Sequence, residues 1–146
     1  MSTVELTSGI QRLPVIVDGQ DTGRVVIFNP ADQEFAETLY GLVWQIGQIH
    51  AEKNQLREKE KDILKRFEIN RAEDSAMRDA VDAVFGEGFS GDVFQTRLFA
   101  LSEDGLTVVE GFLFTLLDKL DASVTAHMAK RDAKIRKYTE KYRKYK

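Results

Sequence analysis

The first regular pattern of apolar residues along the chain consists of two short runs rich in β-branched residues. They lie within residues 13–28, LPVIVDGQDTGRVVIF, and flank a connection rich in Gly and Asp. This composition is typical of a β-hairpin, and we predict strands at 13–17 and 24–28. Because an isolated two-stranded hairpin is marginally stable in water, we expect it to pack on helices or to pair its edge with another chain.

The next pattern predicts a long helix that begins at Asn29-Pro30-Ala31-Asp32. Asn suits the N-cap, Pro suits the first helical position, and an acid is favoured in the first turn. Val43 and Trp44 widen the apolar face of the first half, which therefore belongs in the core. The half from Glu52 to Glu68 is charged except for a thin apolar stripe. We expect it to project from the core and to pack along this stripe against one other helix, as a two-stranded seam. The positions at alternating spacings of four and three are Phe35, Leu39, Leu42, Ile46, Ile49, Lys53, Leu56, Glu60, Ile63 and Phe67.

Capping signals predict two more helices. Asn70 with Glu73 resembles a capping box for a shorter helix closed by Gly86, and Thr107 with Glu110 forms another ahead of the last helix. We interpret residues 86–105 as a loop-rich segment with apolar side chains available to plug the core. These are Phe89, Val93, Phe94, Leu98, Phe99 and Leu101. The first and last helices would each be about 60 Å long if continuous, and their charged ends can lie side by side as an antiparallel stalk. The predicted shared core is Leu42, Ile46, Ile49, Phe85, Phe112, Leu116 and Leu120.

The predicted fold is therefore mainly α, with an N-terminal β-hairpin followed by three helices, the first and last long and antiparallel. A chain of 146 residues with 42% hydrophobic residues fits a single domain. We divide it into a hairpin region (1–28), a helical core (29–129) and a basic helical arm (130–146). No apolar stretch has the length of a membrane span, and the N-terminus lacks a basic region followed by an apolar run, so we expect no membrane association. The absence of Cys excludes disulfides and thiolate chemistry.

The charge of the chain is divided unevenly. Residues 130–146 carry nine Lys and Arg against two Asp and Glu, a net charge of +7, which leaves −10 for the rest because the whole chain carries −3. Such an arm can fold back, reach a neighbouring subunit or meet an acidic partner. The sequence leaves these three destinations open.

Motifs for catalysis or cofactor binding are weak. Residues 86–91 match G-x-G-x-x-G, but a helical pattern precedes them where a dinucleotide site needs a strand. His50 and His127 lack a second nitrogen or sulfur ligand one helical turn away, so no local zinc site is predicted. We interpret the acidic pairs Asp79/Asp82 and Asp118/Asp121 as solvated helix faces. The serines at 90, 102 and 123 have no nucleophile-elbow context. We therefore expect no enzyme, no cofactor and no metal.

The basic arm offers the best candidate site, a binding face for another protein. Its tyrosines recur at spacings of four and three on one helix face, with Lys and Arg on the others. Basic grooves with stacking aromatics bind nucleic acid, but this protein as a whole is acidic and the spacing of its tyrosines suits helix packing. Both observations disfavour nucleic acid as the partner. We therefore predict a partner helix or a neighbouring subunit. The candidate partner-binding residues are Lys134, Lys137, Tyr138, Lys141, Tyr142 and Tyr145.

Four segments of the chain carry a resemblance to a known family. They are residues 13–43, the central VFGEGFSGDVF (84–94), FLFTLLDKL (112–120) and RDAKIRKYTEKY (131–142). Their order resembles the small tail assembly chaperones encoded in the tail modules of long-tailed bacteriophages of Gram-positive hosts. The centre departs from the family pattern FGxGTSxxxFG at Phe89 and Gln95.

The resemblance implies a protein of the bacterial host cytoplasm that binds the tape measure protein or tail tube subunits and keeps apolar helical surface covered until the tail assembles. It implies no cofactor. A structural tail completion or connector subunit, whose hairpin extends a neighbour's sheet, is the alternative. Self-association stays open in both cases.

Overall fold

The computed structural model describes residues 2–101 and 105–145, without the side chains of His127 and Tyr145. Ser102, Lys146 and the Tyr145 side chain, which the sequence-based predictions include, lie outside this part. Helices make up 66% of the described residues, so the mainly α class with long first and last helices is confirmed. The elements are β1 (Gln11–Val17), β2 (Gln20–Phe28), α1 (Gln33–Lys59), α2 (Ile63–Phe85), α3 (Phe89–Phe94) and α4 (Val108–Tyr145).

The hairpin forms as predicted, with longer strands. β1 and β2 pair antiparallel from Gln11 opposite Phe28 to Val17 opposite Gln20. The connecting residues Asp18 and Gly19 both have positive φ, at 52° and 77°, as a tight two-residue hairpin turn requires. Each strand begins earlier than predicted and ends where predicted, because backbone pairing includes polar residues within 11–12 and 20–23, which hydrophobicity does not reveal.

One face of the hairpin packs on the helices. Val26 and Phe28 are 2% and 1% exposed, and the Phe28 ring meets Phe35 of α1 edge to face, with ring centroids 5.7 Å apart. The expectation that the hairpin packs on helices is therefore confirmed. The opposite face leaves apolar side chains in solvent, since strand residues alternate between faces. These side chains are Ile16, Val25 and Ile27.

α1 begins later than predicted. Its N-cap is Asp32, whose side chain accepts a hydrogen bond of 2.9 Å from the Glu34 N–H. Asn29 instead accepts from the Ala31 N–H through its side chain and from the Asp32 N–H through its carbonyl. The predicted start at Asn29 is wrong because this residue forms the turn that leads the chain out of β2.

The predicted first helix is broken after Lys59. Glu60 has extended backbone, and Asp62 caps α2 by accepting a hydrogen bond of 3.0 Å from the Leu64 N–H. Asn70 therefore lies inside α2, and the capping box proposed for Asn70 and Glu73 is wrong. A continuous helix would leave its thin apolar stripe uncovered, whereas the short connection at residues 60–62 folds α2 back along α1.

α3 lies within the segment predicted as a loop, so four helices are present in the described part of the chain where three were predicted. The expectation that this segment plugs the core is confirmed by the burial of Phe89, Val93, Phe94 and Leu98. Phe85, Phe89, Phe94 and Phe112 form an aromatic cluster whose ring centroids lie 4.9–5.7 Å apart. Phe99 and Leu101 are exposed instead.

The capping box of the last helix is confirmed. The Glu110 N–H donates to Thr107 Oγ1 at 3.3 Å, and the Thr107 N–H donates to Glu110 Oε1 at 3.0 Å. α4 then runs unbroken for 38 residues, about 57 Å at the α-helical rise. α1 has 27 residues, about 40 Å, and is shorter than expected because the chain turns at 60–62.

The core lies between the hairpin and the four helices. Of the seven predicted core residues, Leu42, Ile46, Leu116 and Leu120 are buried, and Ile49, Phe85 and Phe112 are half-buried against them. Trp44, which we expected to widen the core face of α1, is 68% exposed, so that prediction is wrong. It follows Tyr40 by four residues, and both side chains lie on a face of α1 outside the core.

α1 and α4 run antiparallel beside each other. The Tyr40 hydroxyl donates to Asp121 Oδ1 at 3.3 Å, while Gly47 and Phe114 line one cavity farther along. α4 therefore continues beyond the start of α1, and the charged half of α1 continues past the start of α4. Their charged ends point in opposite directions, and the predicted stalk does not form between them. α2 accompanies the charged half of α1 instead.

Candidate partner-binding surface

α4 leaves the core after Val124. Leu113, Leu117 and Leu120 are buried, and Val124 is half-buried against the core. Every side chain described from residue 125 to residue 144 is exposed. The basic arm (130–146) thus belongs to a helix that projects about 30 Å beyond the core.

The apolar face of α4 continues into this projecting part. Leu113, Leu117, Leu120 and Val124 are followed on the same helix face, at spacings of three, four or seven, by an exposed stripe. The side chains of this exposed stripe are 49–60% exposed. α4 therefore presents in solvent the kind of surface that it buries in the core. The members of the exposed stripe are Met128, Ile135, Tyr138 and Tyr142.

Lysines flank the exposed stripe. The Nζ atoms of Lys137 and Lys141 lie 5.6 Å and 5.4 Å from the centroid of the Tyr138 ring, within the range of cation–π attraction. Lys134 lines a shallow groove together with Ile135, Tyr138 and Tyr142. Of the predicted partner-binding residues, these three lysines and two tyrosines lie side by side on one helix, and the Tyr145 side chain is outside the described part.

A buried carboxylate that was not predicted from the sequence joins α1 to α2. The Glu73 side chain is 5% exposed, and its Oε1 lies 2.7 Å from Nδ1 of His50. Arg57 donates to the other oxygen of Glu73 and, at 3.2 Å, to Oδ1 of Asn70. A buried carboxylate needs such donors to offset its lost hydration. The signal was the spacing of Glu73 four residues before Met77, which places it on the core face of α2.

A cavity of about 340 Å³ lies beside Glu73, between α1, α2 and α4. Most of its wall is apolar, and it also holds His50, Glu73 and Glu110. His50 contacts Glu73, and Glu110 accepts from both the backbone and the side chain of Thr107. Each of these polar groups therefore has a hydrogen-bond partner within the chain. The apolar wall consists of Val43, Ile46, Met77, Phe99, Val109, Leu113 and Phe114.

The glycine-rich loop serves as a joint between the hairpin and α3. Gly86 closes α2 as expected. The Ser90 N–H donates to Asp82 Oδ1 at 2.7 Å. This amide, which would face the phosphate in a dinucleotide site, is therefore already bonded to a carboxylate of the chain. Arg24 donates to the Glu87 carbonyl and to Asp92 at 3.0 Å and 2.7 Å. Gly88 has a φ of 78°, which disfavours other residues, and a Cβ there would also lie 3.0 Å from this guanidinium.

Two of the acidic side chains that we interpreted as solvated differ in their surroundings. Asp82 is half-buried and accepts a hydrogen bond from the Ser90 N–H in the first turn of α3, which corrects its assignment to a solvated face, whereas Asp79 is exposed. Among residues 2–101 and 105–145, no group of three or more His, Asp and Glu side chains is placed to hold a metal ion. No helix within the described residues combines the length and apolar character needed to cross a membrane.

Comparisons of the chain with models of protein families, with curated proteins and with solved structures found no match. A functional assignment therefore rests on the surfaces of the molecule and on the resemblance carried by its sequence segments. Among these surfaces, the exposed stripe and its flanking lysines have the clearest binding character, because they combine apolar, aromatic and charged groups on one projecting helix.

Proposed function

We propose that the protein is a bacteriophage tail assembly chaperone that binds the tape measure protein or tail tube subunits during assembly of the virion tail. It acts by binding and not by catalysis, without a cofactor, in the cytoplasm of the bacterial host. The observation that carries the proposal is the exposed stripe on α4. A chaperone must present apolar surface that a client covers temporarily, and a helical client can lay its own apolar face along such a stripe.

The chemistry of the arm assigns different roles to its side chains. Exposed lysines gain little from a single ion pair because water and salt screen them, but their summed charge accelerates encounter with an acidic client. Tyrosines that become buried against a client contribute more to affinity. Lys134, Lys137 and Lys141 therefore set the association rate, and Tyr138 and Tyr142 set the lifetime of the complex.

The resemblance of the four sequence segments narrows the class of client. Residues 131–142 are one of these segments, and they contain most of the exposed stripe. Tail proteins are thus the first clients to test. Nucleic acid is disfavoured because the body that carries the arm is acidic, with a net charge of −10 outside residues 130–146.

The test compares binding of purified tape measure protein and tail tube protein to four forms of the chain. The forms are the wild type, a truncation after Ala129, a variant with Tyr138, Tyr142 and Tyr145 changed to Ala, and a variant with Lys134, Lys137 and Lys141 changed to Ala. We expect the truncation to abolish binding. The tyrosine variant should dissociate faster, and the lysine variant should associate more slowly, as surface-based binding measures directly.

Two controls make this test decisive. Ile63→Ala with Leu64→Ala removes exposed apolar groups of comparable size from α2, at 63% and 68% exposure, and should leave binding unchanged. A random single-stranded oligonucleotide in the same salt should bind weakly. Tight oligonucleotide binding with a steep salt dependence, together with no binding to either tail protein, would overturn the proposal.

One observation favours the second candidate, a structural tail completion or connector subunit. The outer face of the hairpin exposes Ile16, Val25 and Ile27, and a two-stranded sheet has free edges that a neighbouring strand can join. A structural subunit remains in finished virions in fixed copy number, whereas a chaperone is absent from them. Quantitative mass spectrometry of purified particles separates the two candidates.

A further inference from the structure

α1 and α4 together expose a second group of aromatic side chains, which lie outside the core. Tyr40 and Trp44 are 50% and 68% exposed, and Phe114 of α4 is 37% exposed. The Tyr40 hydrogen bond to Asp121 joins the two helices at one end, and the cavity shared by Gly47 and Phe114 joins them at the other. Trp44 and Asp118 therefore lie between these two points. We call Glu37, Tyr40, Trp44, Phe114, Asp118 and Asp121 the acidic aromatic face.

The charge of this face is entirely negative. From Gln33 to Glu52, α1 contains no Lys or Arg. Glu37, Asp118 and Asp121 are exposed, and none of them belongs to an ion pair among the described residues. Carboxylates beside exposed aromatic rings attract a surface that supplies both cations and apolar area.

The basic arm supplies both. Its net charge is +7, and Tyr138 and Tyr142 have the same four-residue spacing as Tyr40 and Trp44. The arm of the same molecule does not reach the face, because α4 is one unbroken helix that runs past Tyr40 and away from it. Two arms packed on each other would oppose like charges, which disfavours contact between arms.

We propose that the basic arm of one copy of this chain packs on the acidic aromatic face of a second copy. The exposed stripe covers Tyr40, Trp44 and Phe114, while Lys134 and Lys141 approach Glu37 and Asp118. This contact joins two different surfaces, so each copy keeps one free arm and one free face. Such a head-to-tail contact either closes into a ring or continues as a chain of copies.

This self-association is independent of the proposed function, although it uses the same arm. A client that binds the exposed stripe competes with the second copy for it. The acidic aromatic face belongs to the contact between copies alone. Variants of the face therefore separate the two ideas, because they disturb the contact between copies and leave client binding intact.

The test is a concentration series in analytical ultracentrifugation with charge-exchanged variants. We expect the wild type to associate at low salt, and Glu37→Lys with Asp118→Lys, or Lys134→Glu with Lys141→Glu, to remain monomeric alone. Mixing the two variants should restore association, because each then meets a surface of opposite charge. Trp44→Ala, which removes an exposed side chain and preserves the charges, should weaken association by about tenfold or more, as loss of a central aromatic does.

Several outcomes would overturn the proposal. They are a wild type that stays monomeric at every concentration, variants of the face that associate like the wild type, and a mixture that stays monomeric although both variants give the wild-type circular dichroism spectrum. If the hairpin is the contact, both the face variant and the arm variant still associate. If the arm binds a different surface, the arm variant loses association and the face variant keeps it. If face variants lose association and no tail protein binds, this inference stands and the proposed function fails.

Discussion

Two parts of the molecule leave the core as charged helix, and they differ in whether a second helix accompanies them. At the tip of α1 and α2 (residues 53–69) the two helices pack as a pair. Arg57 of α1 joins them by donating to Glu73 and Asn70 of α2. The basic arm is a single helix, and none of its Lys or Arg belongs to an ion pair among the described residues. A charged helix is thus covered by a second helix in one case and left uncovered in the other.

The largest effect should separate the docked and projecting parts of α4. Leu116→Ala removes a side chain that is 4% exposed and should lower the free energy of unfolding by about 2–5 kcal/mol, because it leaves a cavity in the core. Ile135→Ala in the arm, where the side chain is 49% exposed, should change it by less than about 0.5 kcal/mol. Urea unfolding followed by circular dichroism measures both. Equal losses would mean that the arm is packed in solution.

Removing the buried carboxylate should weaken the paired tip. Glu73→Ala leaves His50 without its acceptor and Arg57 with Asn70 alone. It should cost about 1–3 kcal/mol of unfolding free energy, less than for a fully buried pair because both donors retain contact with water. Glu52→Ala, an exposed change on the same helix pair, is the matched control and should cost under about 0.5 kcal/mol. Hydrogen exchange should accelerate in α1 and α2 around residues 50–73 and stay unchanged in the arm. Uniform acceleration would contradict this assignment.

The smallest effect concerns the joint between α1 and α4. The negative charge of Asp121, with desolvation and their hydrogen bond, raises the pKa of Tyr40 above its usual 10.0. The protonated form is thus favoured in the folded state, so the stability from this contact is present below pH 10 and is lost as pH rises through the raised pKa. Asp121→Asn should lower the pKa of Tyr40 toward 10.0. Tyrosinate absorbance measures this pKa once the titration of the Tyr40→Phe variant, which reports the other tyrosines, is subtracted. An identical titration would show that the two side chains do not meet.

Local signals in the sequence predicted those elements whose partners are close in the chain. The Thr107–Glu110 capping box and the hairpin around Asp18-Gly19 depend on neighbouring residues, and both formed as predicted. The capping box predicted at Asn70 and Glu73 does not form although the residues match the pattern. Both side chains accept hydrogen bonds from Arg57 instead, a tertiary contact that local sequence does not reveal. A heptad pattern continues through residues 60–62, so spacing alone does not reveal that the helix ends there.

The candidate surfaces show the same limit. Charge and spacing within one helix predicted the basic arm, because its character depends on consecutive turns of α4. The acidic aromatic face was missed because it needs α1 and α4 to lie side by side, with Tyr40 meeting Asp121 across the chain. Trp44 was assigned to the core for the same reason, since hydrophobicity does not tell which side of α1 the other helices cover.

Because α4 passes from core to arm without interruption, the core fixes the direction in which the exposed stripe faces. Each residue turns a helix by about 100°, so two residues inserted after Val124 would rotate Tyr138 and Tyr142 to nearly the opposite side. Seven inserted residues would return them to within about 20° of their present direction and carry them about 10 Å farther out. The azimuth and the reach of the tyrosines are thus separately adjustable by the length of this helix.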